Sequence, residues 1–191
     1  MGSARTRAWV PGRGVVLDVP TVTFPGTDSH YPVRRGGIVD VEGAARMLDR
    51  LLGRRSAYFG RQPALTVPVL CDDAHRTAAV GAVGVLRPRA VLTVEGPRAA
   101  ALGANEDLSR PLLVVDLGAQ LTEVALLVAG EVARARRALT GTCDLRASEE
   151  TGALVDTVLE MVTDLLRQDR GGEAADALAR GVLLVGGGAL R

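Results

Sequence analysis

Leu112–Val128, LLVVDLGAQLTEVALLV, sets two apolar runs on either side of a turn that opens with an acid and a glycine. Runs this continuous read as strands buried on both faces. The first ends in Asp116, and Gly118 starts the reversal. A carboxylate at a strand end can hold a metal ion's water, and residues without Cβ let backbone N–H groups approach an anion. Val182–Arg191, VLLVGGGALR, repeats the device, with four apolar residues running into Gly186, Gly187 and Gly188. Together the two turns read as a nucleotide clamp. The amides of Gly118, Ala119 and Gln120 would face phosphates while Asp116 addresses a Mg²⁺-bound water. The glycine trio would meet the adenine or ribose. Taken singly, each turn has a plainer reading, an ordinary hairpin for the first and a mobile tail for the second.

The rest of the composition bounds the setting. The chain of 191 residues can bury one core or build two small lobes. Twenty-three basic against twenty-two acidic residues leave a net charge of +1, which gives no pull toward nucleic acid or anionic lipid. Every basic residue is arginine, so a lysine of the P-loop kind is excluded. Cys71 and Cys143 are far apart and read as core residues of a cytoplasmic protein. His30 and His75 lack metal-ligand spacing. No apolar run reaches the roughly 20 residues of a membrane span.

Outward from the central hairpin, turn and periodicity signals predict the other elements. Residues 8–24 form two strands around Pro11–Gly12, followed by a polar connection over 25–37. Helical spacing covers 38–54, and a strand covers 64–70. Asp72 caps a helix to about Val85. A strand at 89–94 and a Pro-started helix at 97–103 precede a meander of 112–117, 121–128 and 131–138. A helix from Ser148 or Glu149 to Arg167, a short helix at 173–180 and the last strand complete the order. This arrangement is α/β, with mixed sheets flanked by helices.

Five segments in order resemble the MreB/Mbl bacterial actins of the actin-like ATPase superfamily. They are VPGRGVVLDVPTV (10–22), GGIVDVEGAARMLDRLL (36–52), VEGPRAAALGAN (94–105), LLVVDLGAQLTEVALLVAGEV (112–132) and GVLLVGGGAL (181–190). The resemblance implies an actin-like (ribonuclease H-like) fold of two inner subdomains, 1–105 and 106–191, without the outer small subdomains. It implies ATP and Mg²⁺ as ligands, bound through Asp116, Gly118, Ala119, Gln120, Gly186, Gly187, Gly188 and Ala189, with Asp116 facing the metal through water. Ser3, Ala4 and Arg5 would be the remnant of a first phosphate turn whose strand and metal-facing aspartate are absent.

Three departures weaken the chemistry. Gln120 stands where the family has a glycine against phosphate. Gly96 stands where the family's water-activating glutamate precedes proline, and Glu95 is only its neighbour. Short connections at 25–36 and 138–148 replace the outer subdomains. Hydrolysis needs an oriented water and stabilised phosphate charge, so nucleotide binding is expected to be weak or absent and turnover absent. The implied role is a cytoplasmic cell-shape accessory that works with an intact MreB-type homologue, with itself, or with cell-wall morphogenesis proteins. It would reach the inner face of the membrane only through partners and would not bind nucleic acid. The competing readings are an active MreB-type ATPase or superfamily phosphotransferase, and a gene remnant without function.

Overall fold

The computed structural model describes residues 1–53, 62–145 and 148–189, and the chain divides into two units. The first is Met1–Val67 with Cys71–Val94, and the second is Pro68–Leu70 with Glu95–Arg191. The expected helix end at Arg54 and the last two residues of the glycine-rich tail lie outside the described residues.

In the first unit, Pro11–Gly12 turns an antiparallel hairpin of β1 (Arg5–Val10) and β2 (Gly14–Pro20). Its inner face buries Thr6, Val10 and Leu17, and the Thr6 and Thr21 hydroxyls share a hydrogen bond of 2.9 Å. The polar connection contains two short strands that its composition hid, β3 (Val33–Arg34) and β4 (Gly37–Ile38), joined antiparallel. Helix α1 (Val41–Leu52) buries Ala44, Met47, Leu48 and Leu52, the apolar side of its 3.6-residue repeat.

Its N-cap is Asp40, whose carboxylate accepts the Gly43 N–H at 2.8 Å. Asp40→Ala is therefore expected to cost about 1 kcal/mol in denaturant unfolding, the usual worth of such a cap. A value near zero would show that water satisfies that helix end. Helix α2 (Asp73–Val83), capped by Asp72, places Ala82 and Val83 against Ala44 and Leu48 of α1. Strand β5 (Ala64–Val67) pairs with β6 (Leu92–Glu95). It stops before Pro68, which has no N–H for a ladder, so the strand is shorter than its apolar run suggested.

The second unit holds α3 (Gly96–Gly103), β7 (Leu112–Leu117), β8 (Thr122–Val128), β9 (Glu131–Ala138), α4 (Ser148–Gln168), α5 (Glu173–Arg180) and β10 (Val182–Val185). The sheet order is β10-β7-β8-β9, with β10 parallel to β7 and the meander antiparallel, a mixed sheet as expected. Ala129 and Gly130 both take positive φ and close the β8–β9 hairpin. One sheet face buries Leu113, Val115, Val124 and Leu126 against Met161 and Leu165 of α4 and Ala174 and Ala177 of α5. The other packs Leu112, Val114 and Leu127 against Ala101 of α3. Helix cover on both faces is why β7 and β8 read as unbroken apolar runs. Cys71 is buried, but Cys143 is exposed, which corrects its reading as a core residue. It lies in the β9–α4 connection, where no apolar neighbours bracket it in sequence.

Candidate functional site

The site is built at the end of β7. Its apolar side chains are fixed on both faces, so the strand delivers Asp116 and Leu117 to one end of the sheet with little freedom. The chain then reverses through Gly118–Leu121, where the Gly118 N–H donates to the Leu121 carbonyl at 2.9 Å. That bond closes the hairpin and commits one of the three amides expected to face phosphate. Ala119 and Gln120 form the tip.

Parallel pairing sets Val185 of β10 opposite Asp116, so the two glycine turns lie side by side. Gly186 has φ +90°, and a Cβ there would collide with the Asp116 carboxylate and the Leu117 carbonyl. Only glycine permits so close an approach in that conformation. The Gly188 N–H donates to the Leu117 carbonyl at 2.9 Å, and the Ala189 N–H to the Gly186 carbonyl at 3.3 Å. The trio is thus a structured turn anchored on β7. Nothing lies within 4 Å of the position a Cβ would take on Gly187.

A further segment belongs to this end of the sheet and was not singled out from the sequence. The N–H groups of Thr142 and Cys143 donate to the carbonyls of Gly118 and Ala119 at 3.0 and 2.7 Å. Thr142 also reaches the second turn. Its Cγ2 lies 2.6 Å from where a Cβ on Gly188 would stand.

Asp116 is half-buried, and its side chain makes no hydrogen bond or ion pair among the described residues. Burial pushes its carboxyl above the usual carboxylate range. A partnerless carboxylate beside two glycine turns suits a hard cation or that cation's water, so Asp116 fits the implied Mg²⁺. Across the β7–β8 ladder its partner is Glu123. This side chain is buried, and its Oε1 accepts the Val69 N–H at 2.6 Å. Burial drives the Glu123 carboxyl up to about 7. Asp116 pushes the same way, while the Val69 N–H and Arg137 oppose. Arg137 faces Glu123 from β9, and its guanidinium reaches the Val69 carbonyl at 3.5 Å. The sequence did carry a signal for Glu123. A charged residue inside a run apolar on both faces has nowhere to go but inside.

The remaining expected residues sit elsewhere in the chain. Gly96 opens α3, followed by buried Pro97, and offers no side chain to orient water. Glu95 precedes the helix without capping it. Ser3, Ala4 and Arg5 belong to the first unit and are engaged there. Ser3 Oγ accepts the Gly36 N–H at 3.1 Å, the Ala4 carbonyl accepts the Thr21 N–H at 2.9 Å, and Arg5 Nε pairs with Asp18 at 2.6 Å.

Comparison with known proteins gives a family and a fold. The MreB/Mbl protein family matches residues 25–148, about two thirds of the chain. Among solved structures, MreB5 of Spiroplasma citri bound to ADP is similar with a TM-score of 0.83 at 18% identity, over 99% of this chain and 83% of that one. The AMPPNP-bound form of the same protein gives 0.84 at 18% identity with the same coverage. The MamK double helical filament gives 0.75 at 14% identity, over 98% of this chain and 84% of that one. At such identities the structural likeness speaks for the fold alone.

Proposed function

This chain belongs to the MreB/Mbl family and has its actin-like fold, and from that premise we propose that it is a cytoskeletal accessory that holds nucleotide weakly and does not hydrolyse it. The observation that carries the reading is the β10–β7 pairing. It brings Gly186–Gly188 against Asp116 and Leu117 beside the Gly118–Gln120 tip, while the position before Pro97 is Gly96. The parts for grasping a phosphorylated nucleoside are adjacent, and a carboxylate to activate water at that position is lacking. The similar MreB5 structures hold ADP and AMPPNP, which supports an adenine nucleotide as the ligand. Ala119 and Gln120 would contact phosphate, Gly187 and Ala189 the nucleoside side, and Asp116 a water of Mg²⁺. When bound, that ion would neutralise phosphate charge.

Loss of a positioned general base costs on the order of 10²–10⁴ in rate. With Gly96 lacking the carboxylate, phosphate release is expected at buffer background. MamK, which shares the fold, forms a double helical filament, in line with assembly of this chain with itself or with an intact MreB-type homologue, and cell-wall morphogenesis proteins are proposed as further partners. No helix of the described residues is long and apolar enough to cross a membrane. The proposed location is the cytoplasm, with the membrane reached through partners. Calorimetric titration with ADP and AMPPNP, phosphate release, and co-sedimentation with the intact homologue test the proposal. Weak binding, background release and partner-dependent pelleting are expected. Turnover like that of an intact bacterial actin, or indifference to the homologue, would overturn it.

A further inference from the structure

We infer that the connection Gly141–Asp144 is the positioning element of the phosphate turn, holding its amides toward an oxyanion before any ligand arrives. The inference rests on the nucleotide reading above and adds residues that the reading did not use. A trans peptide points its C=O and N–H in opposite directions, and no peptide among the described residues is cis. The Thr142 N–H fixes the Gly118 carbonyl, so the Ala119 N–H in the same peptide plane points away from the connection. The Cys143 N–H fixes the Ala119 carbonyl, which turns the Gln120 N–H the same way. Two successive amides aimed to one side form an anion-binding concavity.

The connection is itself held rigid. The Asp144 N–H donates to the Gly141 carbonyl at 3.0 Å, and Asp144 Oδ2 accepts the Gly141 N–H at 2.9 Å. Its start is tied down as well, because the Thr122 hydroxyl donates to the Thr140 carbonyl at 2.9 Å. Gly141 explains how it packs so closely. A Cβ there would lie 2.5–2.6 Å from the Gly118 carbonyl oxygen, the Ala119 carbonyl carbon and the Gln120 nitrogen, all backbone atoms that cannot step aside. Thr142 spans the two turns, bonding Gly118 on one side and touching the Gly188 position on the other. The short connection therefore sets the direction of the phosphate-facing amides, with the Thr142 methyl beside the second turn. The ligand class is a nucleoside diphosphate or triphosphate, recognised at this end by its phosphate oxygens.

The test uses the full chain, labelled with ¹⁵N, as wild type and as Gly141→Ala. Asp144→Ala serves as a second variant that loosens the connection without a collision. Without ligand, amide exchange at Thr142 and Cys143 is expected to be slow in wild type and about a hundredfold faster in the variants. The Ala119 and Gln120 resonances should move with it. With ADP, pyrophosphate and adenosine as probes, the variants should bind ADP and pyrophosphate about ten- to a hundredfold more weakly. Adenosine binding should be unchanged, so the preference for ADP over adenosine collapses. A general loss of fold would weaken all three probes alike and would refute the assignment. Variants with fast-exchanging amides that keep the full preference for ADP would overturn the clamp while leaving the nucleotide reading standing. Protected amides in a wild type that responds to neither ADP nor pyrophosphate would overturn the nucleotide reading, and the clamp's role with it.

Discussion

Glu123→Gln is expected to flatten the pH dependence of stability and to make the protein more stable than wild type at pH 8. The Glu123 carboxyl sits near 7 in the fold, against an ordinary 4.5, chiefly because burial disfavours its charged form. Below about pH 4.5 both folded and unfolded chains hold the proton, and the group contributes nothing to pH dependence. Between 4.5 and 7 the unfolded chain releases it while the folded chain retains it, so stability falls as pH rises. Above 7 the full penalty is in place. At about 1.4 kcal/mol per tenfold change in proton affinity, that penalty is about 3 kcal/mol. Asp116, also shifted upward by burial, adds to the loss in the same direction.

Glutamine keeps an oxygen for the Val69 N–H and removes the charge that faces Asp116. A gain of about 2 kcal/mol at pH 8 is expected after the lost attraction to Arg137 is allowed for. The gain should vanish near pH 4. Urea unfolding at half-unit pH steps measures both. A wild-type stability that rises between pH 5 and 8, with the glutamine variant parallel to it, would show that the Glu123 charge is well solvated.

Gly186→Ala is expected to lower stability by about 2–4 kcal/mol and to abolish ADP binding, whereas Gly187→Ala leaves stability within about 0.5 kcal/mol. The two residues are neighbours in one triplet but differ in surroundings. At Gly186 an added methyl meets the Asp116 carboxylate and the Leu117 carbonyl in a left-handed backbone conformation. Relief requires β10 to move away from β7, which breaks the parallel pairing that joins the two glycine turns. At Gly187 the added methyl meets nothing. Equal stability of the two variants would mean that the turn is not docked on β7.

The contrast between these glycines also shows what the sequence could and could not supply. Asp116, Gly118 and the triplet stood out as candidates, and the continuous apolar runs, turn residues and helical spacing were legible as a mixed α/β arrangement. Whether the triplet was a turn or a loose tail was not, because that depends on β10 pairing with a strand over sixty residues away. Glu123 passed unnoticed because TEV reads as ordinary strand, although the apolar run around it left only the interior for its side chain. The connection at 141–144 was harder still. Its role lies in backbone amides and in the missing Cβ of Gly141, so the identities of its side chains say almost nothing. The strands β3 and β4 were hidden by a polar, proline-rich composition in which two residues each suffice for a ladder.

The outermost strand β9 bears on how copies of this molecule can join. Along it Arg134 and Arg136 are half-buried, Arg134 held by Asp169 at 3.0 Å and Arg136 by Asp164 at 3.8 Å, and Arg137 is exposed beside Val69. Charged side chains on an edge strand disfavour the addition of a further strand, because covering them costs their solvation. Fibre growth of the amyloid kind is discouraged on that side. A copy that approaches from this side would then have to join through folded surfaces and side chains instead of an added strand.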